Sequence, residues 1–365
     1  MATPTAIGII GCGNISSTYL QAPRLFSNLR IAACADIDVQ RAQTQAAKFG
    51  VPKACSVATL LADPEIEVVV NLTIPAVHAQ ISLAALEAGK SVYGEKPLAT
   101  MRADGAAILE AARARDLWVG CAPDTFLGGG MQTCIKLIND GAIGTPIAAT
   151  TFMVGHGMEN WHPDPYFFYQ PGAGPLFDMG PYYLTALIAM IGPIKRITSS
   201  ARITFPERTV TSQPKAGTKI PVNTPTHVTG TMDFANGAIG TLIMSFDVWS
   251  HHLPRIEVYG TEGSLSVPDP NTFGGPVSLH RAGEKGWQEI PLTHGYTENS
   301  RGLGLADMVN AMSEKRQHRA NGALAYHVLD TIEAFLQSSN EGQHIILSSS
   351  CERPAAFEPG TQNWD

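Results

Sequence analysis

Three absences narrow what this chain of 365 residues can do. No apolar run approaches the roughly 20 residues that a bilayer-spanning helix needs, so no membrane partner is expected. No block of like charge breaks up a net charge of −7, and an acidic chain without a basic patch is not expected to bind nucleic acid. No cysteines stand at paired metal spacing. Cys12, Cys34, Cys55, Cys121, Cys134 and Cys351 lie apart, mostly in apolar stretches, so they read as reduced packing residues and no metal is expected. The opening Met1-Ala2-Thr3-Pro4-Thr5 lacks a basic region followed by a long apolar run, which makes a cytoplasmic location the expectation.

What is present is a change of pattern part-way along. Up to Trp118-Val119-Gly120-Cys121, short apolar strands alternate with helically spaced segments, and that alternation predicts a parallel, doubly wound sheet. Beyond it, Pro146 to Val154 begins a series of longer strands. Asn236-Gly237 between Val228–Phe234 and Ala238–Phe246 signals a hairpin. The length suits two domains: an α/β domain over 1–123, and an α+β domain over 124–365 with a large open, mainly antiparallel sheet. Leu303 to Met312 and Ala323 to Leu336 read as closing helices, and Pro206 to Pro225, rich in Thr, Lys and Pro, as a surface loop.

At the amino terminus Ala6-Ile7-Gly8-Ile9-Ile10 runs straight into Gly11-Cys12-Gly13-Asn14-Ile15-Ser16 and then a helix. Strand, glycine turn and helix in that order form a dinucleotide site, the first element of a Rossmann domain. Gly11 allows the tight turn, Gly13 lets the backbone approach a pyrophosphate, and the helix start at Asn14 and Ile15 supplies amides. Ser16 stands where a third glycine is usual, and it is small enough for close helix–strand packing. Asp36 ends the next strand, Arg30 to Ala35, about twenty residues on, as the fingerprint requires. A carboxylate there accepts both ribose hydroxyls and repels a 2′-phosphate, so NAD is expected over NADP. The competing reading makes Asp36 a helix cap, a role that Asp38 fits equally.

A second junction carries two charges in apolar surroundings: Gly94-Glu95-Lys96-Pro97 follows the short strand Ser91-Val92-Tyr93. Open α/β sheets bind their ligands at the carboxyl ends of their strands, and Pro97 keeps Lys96 out of the helical region. The alternative is an exposed ion pair of little consequence.

In the second half the densest cluster of unusual residues is Gly155-His156-Gly157-Met158-Glu159-Asn160-Trp161-His162, leading to Asp178-Met179-Gly180-Pro181-Tyr182-Tyr183. Gly180-Pro181 suits a helix start, with Asp178 and Tyr182 meeting on one side of it. Tyr182 reads equally as a core tyrosine with a satisfied hydroxyl. His156 and His162 lack a third ligand at recognised spacing. Trp161 offers an apolar face, and Asp124, His156 and His162 offer hydrogen bonds, a mixture that suits a polyol. Trp161 serves equally to pack its loop.

Gly11-Cys12-Gly13-Asn14-Ile15, Asp36, Asn71-Leu72-Thr73-Ile74-Pro75-Ala76-Val77-His78, Gly94-Glu95-Lys96-Pro97 and Asp178-Met179-Gly180-Pro181-Tyr182 together resemble the glucose-fructose oxidoreductase/inositol dehydrogenase/MocA family. The resemblance runs from Ile7 to about Leu336. It implies a Rossmann domain followed by an open mixed sheet that carries substrate residues and mediates oligomers, here a homodimer or homotetramer. It implies hydride transfer between a carbohydrate carbon and a nicotinamide. The family's lysine matches Lys96 and its aspartate matches Asp178. Its frequent histidine four residues later is replaced by Tyr182, as in sugar oxidoreductases and dihydrodiol dehydrogenases of the family, with Tyr183 as a neighbouring rival. Thr73, Pro75, His78, Glu95 and Lys96 are then expected at the cofactor, Glu95 beside the nicotinamide ribose.

The expected chemistry is oxidation of an alcohol by Lys96 as electrostatic helper, Tyr182 as proton carrier and Asp178 as positioner, with Asp124, His156, Trp161, His162 and Tyr183 around a sugar or polyol. Two other classes fit the same motifs: an NAD-dependent glycosidase working through transient oxidation, and a non-catalytic sugar or dinucleotide sensor.

Overall fold

A computed structural model describes residues 3–360. Met1 and Ala2, which enter the leader reading, lie outside them, as do residues 361–365. Contacts divide the chain into two compact units. One holds the described residues up to Gly129, Thr293–Leu329 and those from Pro354 on; the other holds Gly130–Leu292 and Asp330–Arg353. Where the sequence suggested a single boundary after Pro123, Asp124–Gly129 and the helix at Leu303 group with the first unit.

The first unit is built on six parallel strands: β1 (Thr5–Ile10), β2 (Leu29–Ala35), β3 (Ala54–Cys55), β4 (Val68–Asn71), β5 (Ser91–Gly94) and β6 (Val119–Cys121). Their order is β3-β2-β1-β4-β5-β6. Ile7, Ile9 and Val68 to Val70 are fully buried, as expected of parallel strands covered by helices on both faces. Those helices include α1 (Ser16–Gln21), α2 (Val39–Phe49), α3 (Val57–Leu61), α4 (His78–Glu87) and α5 (Arg102–Arg113). The strand order reverses between β1 and β4, so the crevice beyond their carboxyl ends is where such a sheet takes a ligand.

In the second unit α6 (Gly129–Asn139) leads into β7 (Pro146–Val154), and the long apolar helix α7 (Gly174–Ile191) precedes β8 (Ile194–Arg202). Then come β9 (Glu207–Thr209), β10 (Lys219–Pro221), β11 (His227–Phe234), β12 (Ile239–Ser245), β13 (Ile256–Gly260), β14 (Gly263–Val267), β15 (Val277–Arg281) and β16 (Gln288–Ile290). After α8 (Leu303–Glu314), which belongs to the first unit, and α9 (Gly322–Glu341), which begins there, β17 (Ile345–Ile346) completes a nine-stranded sheet ordered β16-β15-β14-β13-β7-β12-β11-β8-β17. It is antiparallel throughout except where β7 runs parallel to β12. The hairpin expected at Asn236-Gly237 joins β11 to β12, with Gly237 at φ 91° and the Gly237 N–H donating to the Phe234 carbonyl.

Two local readings need correction. The stretch Pro206–Pro225 is not a plain surface loop, because β9 and β10 pair antiparallel within it. Val210 and Ile220 are buried there, and so is Arg208, which finds two carboxylates. The helix carrying Asp178 starts at Gly174, not at Gly180, with Pro175 in its first turn and Pro181 inside it. Two Gly-Pro pairs satisfied the start rule, and the earlier one spends its missing N–H where no bond is needed. Among the described residues, no helix is long and apolar enough to cross a membrane.

Candidate active site

Gly11 sits at φ 101°, where side chains are strained. A Cβ on it would stand 2.6 Å from the carbonyl oxygen of Leu72. Its N–H donates to Ala35 at 2.8 Å, tying the turn to β2. A Cβ on Gly13 would meet nothing within 4 Å, so the backbone there borders open space, which is what a pyrophosphate needs. Ser16 is fully buried, and its hydroxyl donates to the Gly13 carbonyl at 2.6 Å, closing the turn in place of a third glycine.

Of the two acids, the cap role falls to Asp38. Asp38 is the N-cap of α2, accepting from the N–H groups of Gln40 and Arg41. Asp36, buried, accepts the Cys12 N–H at 2.8 Å and the Asp38 N–H at 2.9 Å. Gly11, Gly13, Asp36 and Thr73 line one cavity of about 690 Å3 in the first unit. Its wall also holds Ile37, Ile74, Val77 and Arg41, which sequence reasoning missed. The signal was there for Ile37: an isoleucine between two aspartates at a strand end, 97% exposed in the fold. Arg41 reaches Asp36 at 3.4 Å and Asp38 at 3.7 Å. The open cradle at Gly13 and the acid beyond it fit a dinucleotide.

Asn14, Ile15, Pro75 and His78 do not line this cavity. The His78 ring is buried, with one nitrogen 2.9 Å from the Thr73 carbonyl and the other 2.6 Å from that of Pro97. It lies between the loops after β4 and β5, and burial pushes its pKa below the usual imidazole value, so the neutral ring donates its one N–H to one of the two carbonyls. The signal for that placement lies in the fold, not in the spacing.

Glu95 and Lys96, both half-buried, follow β5 directly. The Glu95 carboxylate accepts the Tyr19 hydroxyl at 2.9 Å and the Lys96 N–H at 3.1 Å, and the Glu95 N–H donates to the Asn71 carbonyl at 2.9 Å. The backbone from which the Lys96 amine extends is therefore held at three points. Asp124, expected as a pocket wall, is 1% exposed. Its Oδ2 accepts the N–H groups of Gly302 at 2.8 Å and Gly304 at 3.0 Å, capping the start of α8. Burial pushes its carboxyl up to about 6. Both of these bonds end on the one oxygen, Oδ2.

In the second unit Asp178 and Tyr182 stand four residues apart on α7, hence on one helix face. Asp178 is half-buried and Tyr182 buried. Tyr183 is fully buried, with its hydroxyl enclosed and its pKa pushed up by burial. Tyr183 is thus more deeply enclosed than Tyr182. His156 lies against Trp249, while Trp161 is largely exposed with its edge toward His162, centroids 5.4 Å apart. Among the described residues, no three His, Cys, Asp or Glu side chains are grouped to hold a metal.

A six-stranded parallel sheet in this order, with a glycine turn and a buried acid at the end of β2, defines a dinucleotide-binding α/β protein with an appended α+β unit. The chain belongs to the GFO/IDH/MocA family. A family model described as "Oxidoreductase family, NAD-binding Rossmann fold" matches residues 5–122, and one described as "GFO/IDH/MocA C-terminal domain" matches residues 131–266. The chain is 26% identical over 249 residues to levoglucosan dehydrogenase of Pseudarthrobacter phenanthrenivorans, covering 63% of each chain. It is 34% identical over 147 residues to inositol 2-dehydrogenase 3 of Saccharopolyspora erythraea, covering 39% of this chain and 43% of that protein. These matches span less than two thirds of either relative. A solved structure, "Levoglucosan dehydrogenase, complex with NADH and L-sorbose", superposes with a TM-score of 0.82 at 22% identity, covering 95% of this chain and 100% of that one.

Proposed function

We propose that this chain is a dehydrogenase that moves hydride between a CH–OH carbon of a sugar or polyol and a nicotinamide cofactor, with NAD preferred to NADP. The observation that carries the reading is Asp36, whose carboxylate is fixed by the Cys12 and Asp38 amides on the wall of the cavity that Gly11 and Gly13 share. An acid held there accepts ribose hydroxyls and repels a 2′-phosphate. Arg41, the nearest cation, already faces both Asp36 and Asp38. The names of the relatives, two of them dehydrogenases of a sugar derivative and of inositol, support the substrate class.

In this reading Lys96 presents its ammonium to the reacting oxygen and stabilises the negative charge that develops as the hydroxyl proton leaves. In the oxidation direction the phenolate form of Tyr182 takes that proton and becomes a neutral phenol, Lys96 gives one of its own protons to solvent and regains one from Tyr182, and Asp178 orients the hydroxyl. The nicotinamide, when bound, accepts the hydride from the same carbon. Glu95 holds the Lys96 backbone in register through its two oxygens. Assembly as a homodimer or homotetramer through the second sheet, and a cytoplasmic location, belong to the same proposal.

The deciding experiment is an NADH absorbance screen across aldoses, ketoses and polyols, run in parallel with NADP. NADH formation with a polyhydroxylated substrate supports the reading. With an aryl glycoside added to the same screen, release of its aglycone with no net NADH would replace the reading with the glycosidase. Dinucleotide binding without turnover of any substrate would replace it with the sensor.

A further inference from the structure

The second unit holds a concavity of about 410 Å3 formed by the loop after β7, strand β9 and the segment after β12. Trp249 stands on its wall, 82% exposed. It is nevertheless held in place: its ring lies face to face on the His156 imidazole, centroids 3.3 Å apart and planes at 16°. The neighbouring Val248 N–H donates to the Gly155 carbonyl at 2.9 Å, so the two loops that carry the stacked rings are joined. Single exposed apolar side chains are ordinary. An indole braced from behind, with its other face bordering a cavity, is a preformed flat surface.

The rest of the wall says what would lie on that surface. Arg208 is buried behind it, bonded to Glu159 at 2.7 Å and to Asp247, with its guanidinium 4.9 Å from the Phe205 ring. Two carboxylates consume that charge, so the wall offers no spare cation for a phosphate or carboxylate. The exposed rim carries Asn160, Thr209, Thr211 and Glu207, the last paired with Lys219 at 2.7 Å. A flat apolar surface beside neutral hydrogen-bonding groups matches a ring with a C–H face and a hydroxyl edge.

We propose that Trp249, braced by His156, is the platform of a carbohydrate subsite in the second unit. It takes the C–H face of a pyranose or cyclitol while Asn160 and Thr209 bond the ring hydroxyls. The proposal rests on the sugar or polyol reading above, and it adds to it a specificity residue outside every motif of the sequence.

The test uses the full chain with two probes, methyl α-D-glucopyranoside and myo-inositol, titrated by calorimetry with and without NAD. Trp249→Ala and Trp249→Phe are compared with wild type; since Trp249 is mostly exposed, neither substitution removes buried packing. Saturable binding is expected for at least one probe, weakened about tenfold or more, which is about 1.4 kcal/mol, in Trp249→Ala and within about threefold of wild type in Trp249→Phe, because the phenyl ring keeps a flat apolar face. NAD affinity is expected to be the same in all three proteins. Equal probe affinity in Trp249→Ala and wild type, or no binding of either probe to wild type, overturns the subsite. The NADH screen separates the two ideas. Sugar-dependent NADH formation with an unchanged KM in Trp249→Ala sinks the platform and leaves the dehydrogenase. Trp249-dependent binding without any turnover sinks the dehydrogenase and leaves the platform.

Discussion

The N–H of Cys12 donates to the carboxylate of Asp36 at 2.8 Å, so the middle of the glycine turn and the end of β2 are one fixed unit. The acid that would read the ribose is thereby oriented before any ligand arrives. Preorganisation of that kind converts contact into affinity because little order remains to be imposed on binding.

Cofactor choice follows from that acid. Asp36→Ser removes the repulsion toward a 2′-phosphate and releases Arg41 from its 3.4 Å contact. Loss of hydrogen bonds to a charged acceptor, worth about 1.5–3 kcal/mol, should lower kcat/KM with NAD by roughly 10- to 100-fold while NADP gains. Steady-state rates with both cofactors check this; an unchanged NAD to NADP ratio would remove Asp36 from the selection.

The two glycines of the turn should fail differently. Gly11→Ala meets the Leu72 backbone and an unfavourable φ, and strain of about 1–3 kcal/mol should lower the Tm by several degrees. Gly13→Val fills open space, so its Tm should hold while NAD binding is lost. Differential scanning calorimetry with NAD titration separates the two outcomes, and a Gly13→Val protein that binds NAD normally would contradict the cradle.

Lys96→Met should cut hydride transfer by about 100- to 1,000-fold, the range seen when one preorganised charge-stabilising donor is removed. Its NAD dissociation constant should stay near that of wild type. Tyr182→Phe should cost on the order of 100-fold or more if its hydroxyl carries the proton. Near-normal turnover in either variant would take that residue out of the mechanism.

Acid stability carries two opposing slopes, both from the first unit. Burial raises the Asp124 carboxyl to about 6. Its contribution is therefore complete below the ordinary carboxylate range and is lost as pH rises through about 6. Burial lowers the His318 imidazole to about 4, so its contribution is complete above about 6.5 and is lost as pH falls through about 4. Each amounts to something on the order of 3 kcal/mol. Relative to wild type, Asp124→Asn should gain stability between about pH 4.5 and about pH 7, and His318→Gln should lose it. Urea unfolding at the two pH values measures both; slopes of the same sign would refute the assignment.

Much of this was legible locally. The glycine turn, the alternation of strands and helices, and the Asn236-Gly237 hairpin are encoded by neighbours in the chain, so pattern and turn chemistry suffice for them. The start of α7 was misplaced because Gly174-Pro175 and Gly180-Pro181 obey the same local rule. Arg208 was hidden in a polar stretch because its burial depends on Glu159 and Asp247, each some forty or fifty residues away in sequence.

By itself the sequence determined the class of fold, the dinucleotide turn and the two charges that follow β5, because each is written in a short run whose backbone geometry its own residues dictate. Only the tertiary structure decided which polar groups are spent internally. Asp124 meets Gly302 and Gly304 across 178 and 180 positions, and Trp249 finds His156 from a distant loop. Such pairings are set by where the sheets bring separate segments, and no local spacing carries that information.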